Sequence, residues 1–315
     1  MRIRMLIGPV AAAIAIAGCE KKERAEPAGG NTATPLVMTT FYPTEYMARR
    51  IGGDLVEVRC PVPEDADAIF WQPSREEVEA YAAADLIVIN GAEFEKWVAT
   101  VSLPESRVVD TAAGFEDDFV TFETTTHAHG PGGEHTHEGV DGHTWVDPQN
   151  AIAQARTIQE AMVARWAAHE TAFRVNGAAL ASDLSQLDAR FEAIAPMLEG
   201  AQLLASHPAY NYVAKRYGWS IGNFELDPGE PIDPEALGVI RGQLDGDARV
   251  RVMLWESAPV EAAKAALAET GVVSVEFSPC ELLGEAERAA GEDYLSIMNA
   301  NLDRLEGALG VGGGG

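Results

Sequence analysis

Five of the chain's seven histidines fall in one stretch, HAHGPGGEHTHEGVDGHTWVDP, running from His127 to Pro148. Imidazole titrates near neutrality and is a common ligand for first-row transition metals, so such a cluster raises the question of a metal. The five do not stand alike. His143 lies just before a helix-start signal, Asp147-Pro148, while His127, His129, His135 and His137 lie among HG, PGG and GV texts that lack helical or strand periodicity. Those four are expected in a loop over residues 126–138, where exposed His-x-His pairs bind metal loosely. His207, in LLASHPAY, answers His143 from farther along the chain, between a strand-like run and a second proline-started helix. Carboxylates occupy comparable places: Glu64, Asp65 and Asp67 in PVPEDADAIFWQPS, and Glu276 and Glu281 in VEFSPCE. Two imidazoles and one or more carboxylates from four separate loops suit a divalent first-row metal.

The elements that must position these residues alternate. LVMTTFYP, LVEVRCPVP, LIVING and SRVVDT read as short buried strands, and TEYMARRIGG and SREEVEAYAAA as the helices between them. Ser74 with Glu77 forms a capping-box pattern at the second helix. The rhythm returns after residue 198, with AQLLASH, SIGNFE, VRVMLWE and VVSVEFS as strands and PAYNYVAKRYG, PEALGVIRGQL and PVEAAKAALAETG as helices. Such alternation predicts parallel α/β sheets, which bind ligands beyond the carboxyl ends of their strands. DLSQLDARFEAIAPML closes a long stretch poor in glycine and reads as one helix joining the halves. The expected fold is therefore α/β with two lobes, each a mainly parallel sheet flanked by helices, joined by one long backbone helix with the cleft between them. The expected boundaries are an N-terminal lobe over 35–165, a linking helix over 166–198 and a C-terminal lobe over 199–310.

The first residues speak to cellular setting. Arg2 and Arg4 precede the apolar run MLIGPVAAAIAIAG, a charged segment followed by a stretch of signal-peptide length that ends at Cys19. Residues 1–18 are expected to be a lipoprotein signal, Cys19 the lipidated residue, and residues 19–34 a polar tether. The formal charge is −26, and losing the two arginines with residues 1–18 makes it −28. A chain this acidic repels nucleic acid and concentrates cations. Cys60 and Cys280 remain, and in an oxidising compartment such a pair invites a disulfide.

Taken together, FYPTEYMARRIGGDLVEVRCPVP, SREEVEAYAAADLIVINGAEFEKW, GHTWVDPQNA, SHPAYNYVAKRYGW and DYLSIMNANLDRLEGAL resemble, in order, segments of the solute-binding lipoproteins of zinc and manganese ABC transporters. The resemblance covers nearly all of the chain after the tether. It implies a monomeric receptor, lipid-anchored in the periplasm or at the cell surface, that delivers a divalent ion (zinc foremost, manganese or iron the others) to an ABC permease. His143 and His207 match two family ligands directly. Asp67 stands where the family's first histidine is expected, and Ser278 where its aspartate is. Glu276, Glu281 or Glu256 of LWES can replace that aspartate. Strand alternation favours Glu276, two residues before Ser278, giving an expected set of Asp67, His143, His207 and Glu276. Harder oxygen ligands would lean the site toward manganese or iron(II). A relative that has lost transport and serves as a surface adhesin or assembly lipoprotein is the alternative. An enzyme is disfavoured because HExxH and Walker A patterns are missing from the sequence and no nucleophile elbow stands out.

Overall fold

The computed structural model describes residues 34–64, 66–129 and 133–311, with backbone alone for 122–129, 133–138 and 311. Cys19, the signal segment and Asp65 lie outside the described residues. In the first lobe β1 (Leu36–Thr39), β2 (Glu57–Arg59), β3 (Leu86–Ile89) and β4 (Val108–Asp110) form a parallel sheet in the order β2-β1-β3-β4. In the second, β7 (Ala201–Ala205), β8 (Ile221–Asn223), β9 (Val250–Trp255) and β10 (Val272–Glu276) form a parallel sheet in the order β10-β9-β7-β8. The two orders are the same connectivity. In each, the first strand is central, the second lies to one side, and the third and fourth to the other. Each sheet therefore has a switch point beside its first strand, where loops diverge and leave a crevice.

Helices cover both faces, which is why the strands read as continuous apolar runs. Val37, Leu86 and Val88 face the core that runs through both lobes, while Met38, Ile87 and Ile89 pack on the other face with Tyr81 of α2 (Arg75–Ala83) and with Trp97. In the second sheet Val252 and Leu254 join the shared core, and Met253 and Trp255 pack with residues of α6 (Pro234–Gln243) and α7 (Glu261–Ala268). The period of two along each strand does this sorting.

Helix α4 (Glu170–Ile194) is the brace. Its buried residues Phe173, Gly177, Leu180, Leu184, Leu187, Phe191 and Ile194 recur at three- and four-residue steps, one face of a helix. At 25 residues it is about 37 Å long. It packs on α1 (Tyr42–Gly52) and α3 (Pro148–Arg165) of the first lobe and on α9 (Tyr294–Val311) of the second. Arg50 of α1 pairs with Asp183 at 2.5 Å, and Arg190 reaches Asp303 of α9 at 2.7 Å. The helix α5 (Asn211–Tyr217) follows β7, and α8 (Glu285–Ala290) precedes α9.

The Ser74 capping box is formed at α2: Glu77 N donates to Ser74 Oγ at 3.3 Å, and Ser74 N donates to the Glu77 carboxylate at 2.5 Å. Ser74→Ala is expected to cost about 1 kcal/mol, read as a lower urea midpoint with an unchanged slope.

The histidine-rich stretch differs from the loop expected of it. Residues Thr121–His129 (β5) and Gly133–Val140 (β6) pair as an antiparallel ribbon. The register sets His127 opposite His135 and Thr125 opposite His137. Positions 127, 129, 135 and 137 consequently share one face of the ribbon. The strand signal lay upstream of the histidines, in the threonine-rich TFETTT.

Candidate metal centre

His207 leaves the sheet two residues after β7, and Glu256 leaves it directly after β9, so both stand at the switch point of the second lobe. His207 is about one-fifth exposed, and its Nδ1 lies 3.7 Å from a Glu225 carboxylate oxygen. Burial acts to lower its pKa, but the nearby carboxylates of Glu225 and Glu256 outweigh this and raise it.

His143 arrives from the other lobe, in the turn between β6 and α3. Asp141, fully buried, accepts from His143 N at 2.9 Å and from its Nδ1 at 2.7 Å. Asp141 is itself held by Asn211 Nδ2 at 2.9 Å, while its carbonyl accepts from the Tyr212 hydroxyl at 2.7 Å. With Nδ1 committed to a carboxylate, Nε2 is the atom that points into the cleft. It meets Glu281 Oε1 at 3.0 Å. Burial acts to lower the His143 pKa, yet Asp141 and Glu281 outweigh it and push it up to about 10. Burial acts to raise Glu281, and its hydrogen bond and charge interaction with His143 hold it below the ordinary carboxylate range.

The path of the chain after β10 explains why Glu281, not Glu276, reaches this place. Tyr210 donates its hydroxyl to Phe277 O, and Asn301 brackets Ser278, donating to its carbonyl at 2.7 Å and accepting from its N–H at 3.0 Å. Ser278 Oγ accepts from Cys280 N at 3.0 Å, and Cys280 adopts a left-handed conformation with φ 61°. That turn, closed by Trp145 Nε1 on Pro279 O (2.7 Å) and by Tyr42 N on Glu281 O (3.2 Å), aims Glu281 into the cleft. Glu276 instead lies 3.8 Å from Arg304, whose Nε also donates to the Glu276 carbonyl at 2.8 Å. The strand alternation that favoured Glu276 ends where the strand ends.

One donor atom each from His143, His207 and Glu281 lies within 4.8 Å of the other two, and the rings of the two histidines sit 5.3 Å apart. Asp67 lies outside this trio. Its Oδ1 accepts from Ile69 N at 2.9 Å and Phe70 N at 3.3 Å, closing its own loop. Although Asp67 keeps access to solvent, desolvation and then the negative charge of Glu281 raise its pKa, and His207 acts the other way. Glu256 is raised chiefly by burial and further by Glu281, again against His207. Cys60 and Cys280 are both free thiols, so the expected disulfide is not formed. Cys60 sits beside Thr39 and Glu45 at the edge of the first sheet, whereas Cys280 is buried near Tyr42 and Tyr294. Neither thiol belongs to the trio, and burial raises both. Trp145 is fully buried with its ring 5.4 Å from that of His143, and Trp71 is half-buried, edge-on to Trp97.

Residues 37–308 match the ZnuA family, described as zinc-uptake complex component A, periplasmic. The chain belongs to that family. Among its relatives, the zinc-binding lipoprotein AdcA of Streptococcus pneumoniae is 26% identical over 276 residues, covering 86% of this chain and 55% of that protein. The chain thus spans about half the length of the streptococcal relatives it matches. The high-affinity zinc uptake system protein ZnuA of Bacillus subtilis is 25% identical over 288 residues and covered to 87% on both sides. Two solved structures share the ZnuA-family fold at 23% identity. The metal-dependent lipoprotein YcdH of B. subtilis has a TM-score of 0.75, with 87% of this chain and 98% of that one covered. Zn(II)-bound AdcA of S. pneumoniae has a TM-score of 0.74, with 88% and 58% covered.

Proposed function

We propose that this ZnuA-family chain captures a divalent cation in the cleft between its lobes and releases it to an ABC permease, as the solute-binding part of an importer. The trio of His143, His207 and Glu281 carries this reading. His143 Nε2 and Glu281 Oε1 lie 3.0 Å apart. Two ligand atoms on a tetrahedral zinc ion sit about 3.3 Å apart, so an ion can be held between them with little movement. Asp67, electrostatically coupled to both Glu281 and His207, is the proposed fourth donor. Zinc is the foremost cargo, with manganese and iron(II) as competitors favoured by the carboxylates.

Capture and release of an ion change no covalent bond, and the role proposed is that of a receptor, not an enzyme. Cys19 is proposed to carry the lipid that holds it, as a monomer, at a bacterial membrane facing the periplasm or the cell surface. No helix among the described residues is long and apolar enough to cross a membrane. His127, His129, His135 and His137, on one face of the ribbon by register, are proposed to gather ions loosely before the cleft takes them.

The test is native mass spectrometry of the stripped protein offered zinc, manganese and iron(II) in competition. One tightly held ion per chain is expected. Glu281→Gln should weaken it by roughly 100-fold or more, since even partners outside the ligand shell cost about 10–100-fold. Glu276→Gln, which disturbs only the contact with Arg304, should leave it in place. Equal loss in both variants would remove Glu281 from the ligand set, and no tight ion in the intact protein would end the receptor reading.

A further inference from the structure

The segment after β3 buries an acid that no ligand role explains. Glu95 is 5% exposed. Its carboxylate accepts from Asn90 N at 2.6 Å, from Gly91 N at 3.3 Å and from the Thr40 hydroxyl at the end of β1. Between these donors and the acid the chain doubles back through three consecutive positive φ angles, 82° at Gly91, 51° at Ala92 and 57° at Glu93. Two of the three are not glycine, and such strain persists only where the surroundings over-determine it. Burial outweighs the three donors and pushes the Glu95 carboxyl up to about 7. A carboxylate kept in so costly a place is poor evidence of stabilisation for its own sake.

What the acid holds still is informative. Asn90 Nδ2 donates to Gly142 O at 2.9 Å, and Asn90 Oδ1 accepts from the Thr144 hydroxyl at 3.1 Å, so both neighbours of His143 hang on Asn90. Gly142 lies so close over Phe94 that a Cβ there would meet the Phe94 Cβ at 2.9 Å. On its other side the segment touches the loop of Asp67: Lys96 N donates to Ile69 O at 3.3 Å, and Trp97 meets Trp71 edge-on at 5.9 Å. One short turn, closed by one carboxylate, thus seats two ligand-bearing loops from different parts of the sequence.

We propose that Glu95 is the positioning residue of the metal centre, locking the 90–96 turn so that the His143 and Asp67 loops are held in fixed relation to one another. The inference deepens the receptor reading and rests on it for the metal. Glu95 acts through Asn90 and Lys96 and does not touch the ion. Glu95→Gln preserves shape but turns an amide N–H₂ toward N–H and O–H donors, so at least one of them loses its acceptor.

Two measurements are made on the full chain. The first is hydrogen exchange of the metal-free protein, where Glu95→Gln should speed exchange at residues 67–71 and 142–146 and leave β7 and β9 as in the wild type. The second is zinc affinity with the visible spectrum of bound cobalt(II), where the variant should lose about 10–100-fold in affinity and show an altered cobalt band pattern. A folded Glu95→Gln with wild-type exchange at both loops and wild-type affinity overturns the inference. So does exchange that rises equally across both lobes, which is general destabilisation. If Glu95→Gln does not fold, Thr40→Val removes one of the three donors at constant volume and is read by the same criteria, with smaller changes expected. A wild-type chain that holds no zinc defeats the receptor reading, while the exchange experiment still decides what Glu95 does.

Discussion

Replacing His143 and His207 together by alanine abolishes tight ion binding, with affinity falling at least about 1,000-fold, while deletion of residues 126–138 leaves the tight ion in place. The expectation follows from where the histidines stand. His143 is 4% exposed, has one nitrogen fixed by Asp141 and presents the other to Glu281, so its geometry is set before any ion arrives. Preorganised donors of this kind lose nothing to side-chain ordering on binding. Each replacement removes a donor outright, a larger change than the roughly 10–100-fold loss typical of partners outside the ligand shell. The ribbon histidines lie on a separate two-stranded sheet, and their loss should reduce only the loosely held ions. The double variant also leaves Asp141 buried without its imidazole, so a lower melting temperature is expected. His207→Ala alone, at a half-buried position, separates lost binding from lost stability. A double variant that folds and still holds one tight ion would contradict the site. Isothermal titration against a zinc-buffering chelator is the appropriate measurement.

The second large effect is on pH. Raising the His143 pKa above its ordinary value of 6.5 to about 10 means that the metal-free protein holds an imidazolium there at neutral pH. That proton stabilises the metal-free fold fully below about pH 6.5, and the contribution is lost as pH rises through about 10. A divalent ion needs the same nitrogen bare, so metal affinity runs in the opposite direction and falls as pH falls. One displaced proton gives tenfold per pH unit, or about 300-fold between about pH 7.5 and pH 5. His207 is raised as well, by Glu225 and Glu256 against the opposing effect of burial, so its proton steepens the slope. Binding at neutral pH should accordingly release at least one proton, seen as a buffer-dependent enthalpy in calorimetry. Affinity that stays flat across this range would show that no histidine ligates the ion.

Much of this was legible in the chain. The inner strands stood out because both faces of each sheet are covered, which favours apolar runs such as LIVI of β3, while the edge strands β2 and β8 carry polar residues. The long helix α4 was visible from a stripe of apolar residues at three- and four-residue steps. His143 and His207 were marked by their place where a strand or turn gives way to a helix, a property of local sequence. The histidine ribbon was hidden because its strand signal sits in threonines ahead of the histidines, and because pairing is a relation between two segments.

The identity of the carboxylate beside the histidines belongs to tertiary structure. Alternation is a rule for extended backbone, and it lapses after Glu276, where Ser278 and the left-handed Cys280 reverse the chain and bring Glu281 to the cleft. That reversal is imposed by Asn301, Tyr210, Trp145 and Tyr42, residues remote in sequence whose hydrogen bonds no local pattern announces. The free thiols follow from the same fact, since the spacing of Cys60 and Cys280 carried no information about the environment each would occupy. Asp141 and Glu95 are likewise ordinary acids in the sequence, and burial beside specific donors gives them their roles. The sequence alone determined which segments become strands and helices and which histidines end them, because those depend on periodicity within about ten residues. Which carboxylate meets the histidines, and what holds it there, was decided by contacts across more than a hundred residues, where free energy depends on neighbours that only the folded chain supplies.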